Sequence, residues 1–379
     1  MKKIIDAGII GFLGILLLLN FTGCEKDSHT FQVSTFSVDV SPPIGSPVAY
    51  APARSITDPI SAKGVVILSD QSPVVLCVVD YLGVANKGQQ LWKEALATAA
   101  NTTTDRVSVH ALHQHDGPRC DYDVERILSE HGLGGTRYDT AYLNKTIRNV
   151  AKAVSESLET AQTVTHLGFG EAKVDKVASN RRILGEDGKV AIIRWSKTTD
   201  SAAIAAPEGL IDPWLKSVSF WDNDKPVAVM TYYATHPQSY YGEGDVTCEF
   251  VGIARNTRET TLGGLPHIHF NGASGNITAG KYNDGSKENR PVLARKLETA
   301  MKEAWDNTQK VPISASDLVW KTTPVQLPLG PHLIEKDLRA ILENDTTTAD
   351  QKFIAAKHLA WLQTIESGKK IDVSSLRMG

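Results

Sequence analysis

The run "PVVLCVVDYLGV", Pro73 to Val84, is apolar at every position from Val74 to Val79. A strand with one wet face alternates apolar and polar side chains, so a run without alternation belongs to a strand covered on both faces. "GVVILSD", Gly64 to Asp70, reads as its partner across a turn at Asp70–Ser72. "NKGQQLWKEALATAAN" then reads as a helix, because Leu91, Trp92, Leu96 and Ala99 fall near helical spacing. The alternation continues. Strands are expected at "RVSVHALHQH", "THLGFGEAKV", "KVAIIRW", "LKSVSFWD" and "PVAVMTYYATH". Helices are expected at "DTAYLNKTIRNVAKAVSESLETA", "FVGIARNTRETTL", "PVLARKLETAMKEAWDN" and "TADQKFIAAKHLAWLQTIES". Strands mingled with helices predict an α/β fold, a mixed β-sheet core covered by helices. No internal repeat is visible in the sequence.

With 379 residues the chain can bury one large core or two modest ones. Its 40 basic and 43 acidic residues give a net charge of −3, and no run of Lys or Arg occurs, so no nucleic-acid partner is expected. Residues 1–24, "MKKIIDAGIIGFLGILLLLNFTGC", have the form of a signal peptide: Lys2 and Lys3, an apolar run from Ile9 to Leu19, then small residues before Cys24. Cys24 stands where a bacterial lipobox places its lipidated cysteine, with Phe21 in place of the usual Leu. Residues 25–34 would then be a polar tether and 35–379 the folded domain. The localisation expected is that of an exported, membrane-anchored lipoprotein of a bacterial envelope or surface. Cys77 reads as a buried strand residue, whereas Cys120 and Cys248 each follow a histidine segment and could pair in an exporting compartment.

Chemistry concentrates in a few stretches. "HALHQHDGPRCD" holds His110, His113, His115, Asp116, Cys120 and Asp121. If the strand "VSVHALHQH" stays extended, His113 and His115 face one side at its C-terminal end, the edge where α/β sheets bind ligands. Two neutral imidazoles on one rigid element supply much of a zinc site; a hydrogen-bonded polar loop is the alternative. "MTYYATHPQS" delivers His236 at another strand end, with Pro237 stopping the strand. "PHIHFNGASGN" offers His267 and His269 as a rival metal pair or as core residues. Ser274 within it lacks the spacing of a strained nucleophile elbow. In "SNRRILGEDGKVAIIRW", Arg181 precedes an expected hairpin turn at Glu186-Asp187-Gly188 and could hold a carbonyl or carboxylate.

Taken in order, these stretches resemble the N-terminal amidase domain of the neutral/alkaline non-lysosomal ceramidase family. "STFSVDVSPPIGSPVAYAPARSITDPI" resembles the family's opening and "VVDYLGV" the strand after it. "HALHQHDGPRCD" resembles a Thr-His-Thr-His-Ser-Gly-Pro motif, and "ATHPQS" a second histidine motif. "CEFVGIAR" resembles a helix start, and "NGASGNI" a Gly-Asp-x-Ser-Pro-Asn segment. The resemblance spans roughly residues 35–300. It implies a zinc hydrolase acting on linear amide bonds, cleaving the N-acyl bond of ceramide or another N-acylated, lipid-like substrate. It places the zinc ligands at His113 and His236, a donor or proton-passing role at His115 and a substrate-contacting role at Arg181.

The chain also departs from the family pattern. Asp116 replaces a Ser, and Gly275-Asn276-Ile277-Thr278 replaces part of the last segment. The Pro-Gly-Glu motif and the Tyr that complete the family's zinc site are not found, and "SSLRMG" resembles the lead-in to the strand that would carry the first. Two expectations follow: either the sequence is truncated and the domain of residues 35–379 lacks its C-terminal part, or a local carboxylate such as Asp116 or Glu249 substitutes. A second class of function follows from that gap: a non-catalytic, surface-anchored lipid- or glycan-binding lipoprotein that keeps the fold with an incomplete metal site.

Overall fold

The computed structural model describes residues 31–379; the expected signal peptide with Cys24, and residues 25–30, lie outside the described residues. The first sheet holds β1 (Gln32–Asp39), β2 (Ser61–Leu68), β3 (Val74–Val79), β4 (Val107–Ala111) and β5 (Gln162–Thr163), in the order β4-β3-β2-β1-β5. The second holds β6 (His166–Lys173), β7 (Trp214–Asp222), β8 (Lys225–Tyr233), β9 (His267–Asn271) and β10 (Gln309–Pro312), in the order β9-β8-β7-β6-β10. In each sheet the first pair of that order, β4 with β3 and β9 with β8, is parallel, and every other pairing is antiparallel. The two halves therefore share one topology. That repeat is invisible in the sequence because topology constrains only the placement of apolar residues, not their identity.

β1 begins at Gln32, within the stretch expected to be tether. The strand pairs along its whole length with β2, from Gln32 opposite Leu68 to Asp39 opposite Ser61. Its alternation of Val33, Thr35 and Ser37 with Phe36 and Val38 explains why a polar-looking segment is a strand.

Helices cover the outer faces of both sheets. On the first lie α1 (Asn86–Ala99) and α3 (Thr140–Ser157), with α2 (Tyr122–Glu130) beside them. Val75, Cys77 and Val79 of β3 pack there against Trp92, Leu96, Leu143 and Val150. The alternate residues Val74, Leu76 and Val78 enter a second core with Phe220, Met230 and Phe270 of the other sheet. Both faces of β3 are thus dry, as its unbroken apolar run requires. On the second sheet's outer face lie α4 (Glu249–Thr261) and α5 (Asn289–Asp306). Gly170 sits under α5 where an added Cβ would meet the Ala304 carbonyl at 1.9 Å, so the helix rests directly on the strand backbone.

Outside the layers, a hairpin arm pairs Arg182–Leu184 with Val190–Ile193 around Gly188 at φ +74°. After β10 the strand Leu318–Val325 pairs with Ile371–Met378, and α6 (Glu335–Glu343) and α7 (Ala349–Glu366) intervene and join the core around α2. Among the described residues no helix is long and apolar enough to cross a membrane.

Candidate active site

β4 ends at Ala111, two residues before the first candidate ligand. His113 has φ +75°, a left-handed conformation that breaks the strand. The expected extended segment through His115 is therefore wrong: Leu112 to Gln114 are irregular, and the chain turns at His115 and Asp116. The turn still brings the two histidines together, with ring centroids 4.8 Å apart. His113 N donates to Tyr81 O at 2.8 Å, and Leu82 N donates to Pro118 O at 2.9 Å, so the loops after β3 and β4 are stitched to one another. Gly117 is required in this turn because a Cβ there would meet the Asp80 carbonyl at 2.8 Å.

His236 follows β8, as expected, and its ring lies 5.2 Å from that of His113. The two candidate ligands come from different halves of the fold, yet each is held in the same way. His113 Nδ1 lies 2.6 Å from Leu82 O, and His236 Nδ1 lies 2.9 Å from Ile277 O. A carbonyl only accepts, so both rings carry their proton on Nδ1 and leave Nε2 with a lone pair. Burial lowers the pKa of both below the ordinary histidine value. Neutral imidazoles with one nitrogen bonded to the backbone and the other free are the form zinc takes as ligands.

His115 stands against His113, its Nδ1 2.7 Å from the Tyr50 hydroxyl and its ring 4.9 Å from that of Tyr241. Burial, then the neighbouring His113 and His236, lower its pKa to about 3. Its Nε2 is buried without a partner. Arg181 places its guanidinium carbon 4.8 Å from the Trp195 ring centroid, and its charge is among those acting on His113, His115 and His236. Its backbone is fixed between two loops, Arg181 N donating to Asn276 O at 2.8 Å and Arg194 N to Arg181 O at 2.7 Å. His113, His115, His236 and Arg181 are therefore neighbours, gathered from the ends of β4 and β8 and from the start of the hairpin arm.

The remaining candidates fall elsewhere. His267 and His269 are buried on the outer face of β9 beneath α4, with Thr231 Oγ1 3.3 Å from His267 Nε2 and 3.0 Å from His269 Nδ1. They are core residues, not a rival metal pair. Glu249 cannot substitute as a ligand. Its Oε1 accepts from Ser239 N at 3.0 Å, its Oε2 accepts from Phe250 N at 3.0 Å, and Arg290 Nη2 lies 3.3 Å from Oε1. Asp116 accepts from Gly242 N at 2.9 Å through Oδ1, while Oδ2 is buried without a partner and burial raises its pKa to about 6. Asp121 caps α2, accepting from Asp123 N and Val124 N at 3.1 and 3.2 Å. Cys120 and Cys248 are not bonded to each other; with Cys77 they are buried free thiols. Among the described residues no group of three or more His, Cys, Asp or Glu is arranged to hold a metal ion. The donor set thus suits zinc through two oriented imidazoles, with no third ligand grouped beside them among the described residues.

Sequence reasoning missed Tyr50, Arg119, Trp195 and Asn271. Arg119 belongs to the first histidine stretch; its Nη1 donates to Ala49 O and its guanidinium lies 5.7 Å from the Tyr50 ring centroid. Asn271 Nδ2 donates to Leu112 O at 2.6 Å, tying the end of β9 to the His113 turn. Tyr50 lies in the proline-rich loop "SPVAYAP", whose composition by itself marks no functional residue.

No family model and no curated protein matches this chain. Among solved structures, one described as a ceramidase complexed with C2 is similar with a TM-score of 0.60 and 15% identity, over 81% of this chain and 49% of that one. The neutral ceramidase from Pseudomonas aeruginosa is similar with a TM-score of 0.64 and 14% identity, over 93% of this chain and 61% of that one. The chain therefore spans between 49% and 61% of the length of these two structures. At such identities the likeness is one of architecture: this chain has the α/β fold of the neutral ceramidases.

Proposed function

We propose that this protein is a zinc-dependent amidohydrolase that cleaves the N-acyl bond of a ceramide-like substrate. The observation that carries the reading is the pairing of His113 with His236, each held through Nδ1 by a backbone carbonyl and so left with an unprotonated Nε2, with ring centroids 5.2 Å apart. These two residues would hold the metal. When bound, zinc polarises a carbonyl and lowers the pKa of a bound water towards about 7. His115 and Arg181 border the same space and would stabilise the negative oxygen formed when the amide carbon is attacked.

An apolar substrate tail is supported by the hairpin arm. Leu184, Val190, Ile193 and Trp195 are exposed at 60%, 45%, 48% and 57%, and Arg181 connects Trp195 to the histidines. Leu184 pairs with Val190 and Arg182 with Ile193 on one face of the arm. An exposed apolar strip leading from a polar centre suits a molecule with a reactive head and a hydrocarbon tail. The exported lipoprotein reading places the enzyme at a membrane, where such molecules reside.

A non-catalytic binding protein is the second reading, favoured by the lack of a third metal ligand among the described residues. Zinc content by mass spectrometry separates the two. The amidohydrolase reading expects near one zinc per chain in the wild type and loss of it in His113→Ala and His236→Ala. Zinc absent from all three proteins would leave the binding reading in its place.

A further inference from the structure

The three imidazoles of the site have unlike partners. His113 and His236 face acceptors, whereas His115 Nδ1 faces the Tyr50 hydroxyl at 2.7 Å, which can donate. A phenolic O–H is a better donor than acceptor, because its oxygen lone pair is drawn into the ring, and an unprotonated imidazole nitrogen is a strong neutral acceptor. Tyr50 Oη makes no other hydrogen bond to a described residue. The phenol is also held in place: Arg119 grips the adjacent Ala49 carbonyl, and the Tyr50 ring packs 5.4 Å from that of Tyr241.

We propose that Tyr50 donates to His115 Nδ1 and so fixes His115 as the Nε2–H tautomer, opposite to His113 and His236. Tyr50 is then a positioning residue, and His115 is a hydrogen-bond donor to a substrate oxygen, not a metal ligand. The buried Nε2 of His115, partnerless among the described residues, is an N–H waiting for an acceptor that the substrate brings. Two kinds of nitrogen thereby share one site, lone pairs from His113 and His236 and an N–H from His115. Only the substrate role rests on the amidohydrolase reading; the tautomer does not.

Long-range proton–nitrogen NMR on histidine-labelled, chelator-treated protein near pH 8 tests this directly, with His115 assigned through the His115→Gln variant. The expected spectrum has His115 protonated at Nε2 and both His113 and His236 at Nδ1. In Tyr50→Phe the His115 signals shift towards mixed tautomers while those of His113 and His236 stay, which also reports that the variant is folded. His115 protonated at Nδ1 in the wild type, or an unchanged His115 in Tyr50→Phe, overturns the proposal. So does loss of bound zinc in His115→Ala from a wild type that holds it. If the spectra are as expected and no N-acyl substrate is turned over, the tautomer assignment stands and the amidohydrolase reading alone falls. If turnover is found, Tyr50→Phe lowers kcat about tenfold or more with KM little changed, since a donor to the developing oxyanion acts mainly in the transition state.

Discussion

Arg255 closes a two-point ion pair on Asp80, Nη1 to Oδ1 at 3.0 Å and Nη2 to Oδ2 at 2.9 Å, with both side chains wholly out of solvent. Asp80 directly follows the apolar strand β3, and Arg255 lies on α4, so the pair ties the edge of the first sheet to a helix of the second half. Ser61 N and Gln114 Nε2 also donate to the same carboxylate, at 2.8 and 3.1 Å. The two residues after Asp80 supply the carbonyls that hold His113, Tyr81 O to its backbone N and Leu82 O to its ring. A buried ion pair thereby anchors one wall of the candidate site.

Asp80→Ala leaves the Arg255 charge buried and unpaired, and should cost about 3–5 kcal/mol of stability. Replacing both residues with apolar ones of similar volume, Asp80→Leu with Arg255→Met, should cost less than the two single changes summed. Urea denaturation of Asp80→Ala, the two single variants Asp80→Leu and Arg255→Met, and their double checks this; simple additivity would contradict the coupling.

His110 gives a prediction about acid. Its ring packs edge-on against Phe270 at 5.7 Å, its Nε2 is buried without a partner, and burial lowers its pKa to about 4. The unfolded chain protonates this histidine near its ordinary value of about 6.5, the native protein only near 4, so between those values the unfolded state binds more protons. Stability from this residue is present above about 6.5 and is lost as pH falls, by about 3 kcal/mol once pH is below 4. Asp116, raised to about 6, acts in the opposite sense, but equally in wild type and variant. His110→Phe should therefore flatten the fall of the urea midpoint between pH 7 and about 4.5. An unchanged slope would show that His110 is not one of the acid-sensitive groups.

Much of the fold was legible because burial leaves a pattern. The unbroken run of β3, the alternation in β7 and the helical spacing of α1 and α5 each announce which faces are covered. The face-to-face stacking of two like sheets was not legible, since Met230 and Phe270 would look the same beneath a helix. The site was legible in its residues more than in its shape. His113 and His236 stand out as histidines at strand ends, but the left-handed turn at His113 has no signal in "ALHQH", and an extended strand was the wrong expectation. Tyr50 and Trp195 come from loops far away in sequence, and only the folded chain shows what they touch. Cys120 and Cys248 follow the two histidine segments, but they are buried as separate thiols, and the pairing their positions allowed is not made.

The hairpin arm predicts substrate preference. Ile193→Ser and Leu184→Ser keep the half-buried Ile183 and Ile192 on the arm's other face, so the arm should stay folded. For long N-acyl chains kcat/KM should fall about tenfold or more, and for N-acetyl substrates it should change little, because only a long tail reaches the strip. Equal losses on short and long substrates would place the tail elsewhere.

The measurement that bears most directly on the whole account is fatty-acid release from an N-acyl amino-alcohol lipid. It would be followed in wild type with zinc, in wild type after chelation, and in His236→Ala with zinc. The account predicts release in the first and at least a hundredfold loss in the other two, with zinc restoring the chelated wild type. Release that survives both chelation and His236→Ala, or no release from any N-acyl substrate by the zinc-loaded wild type, would contradict it.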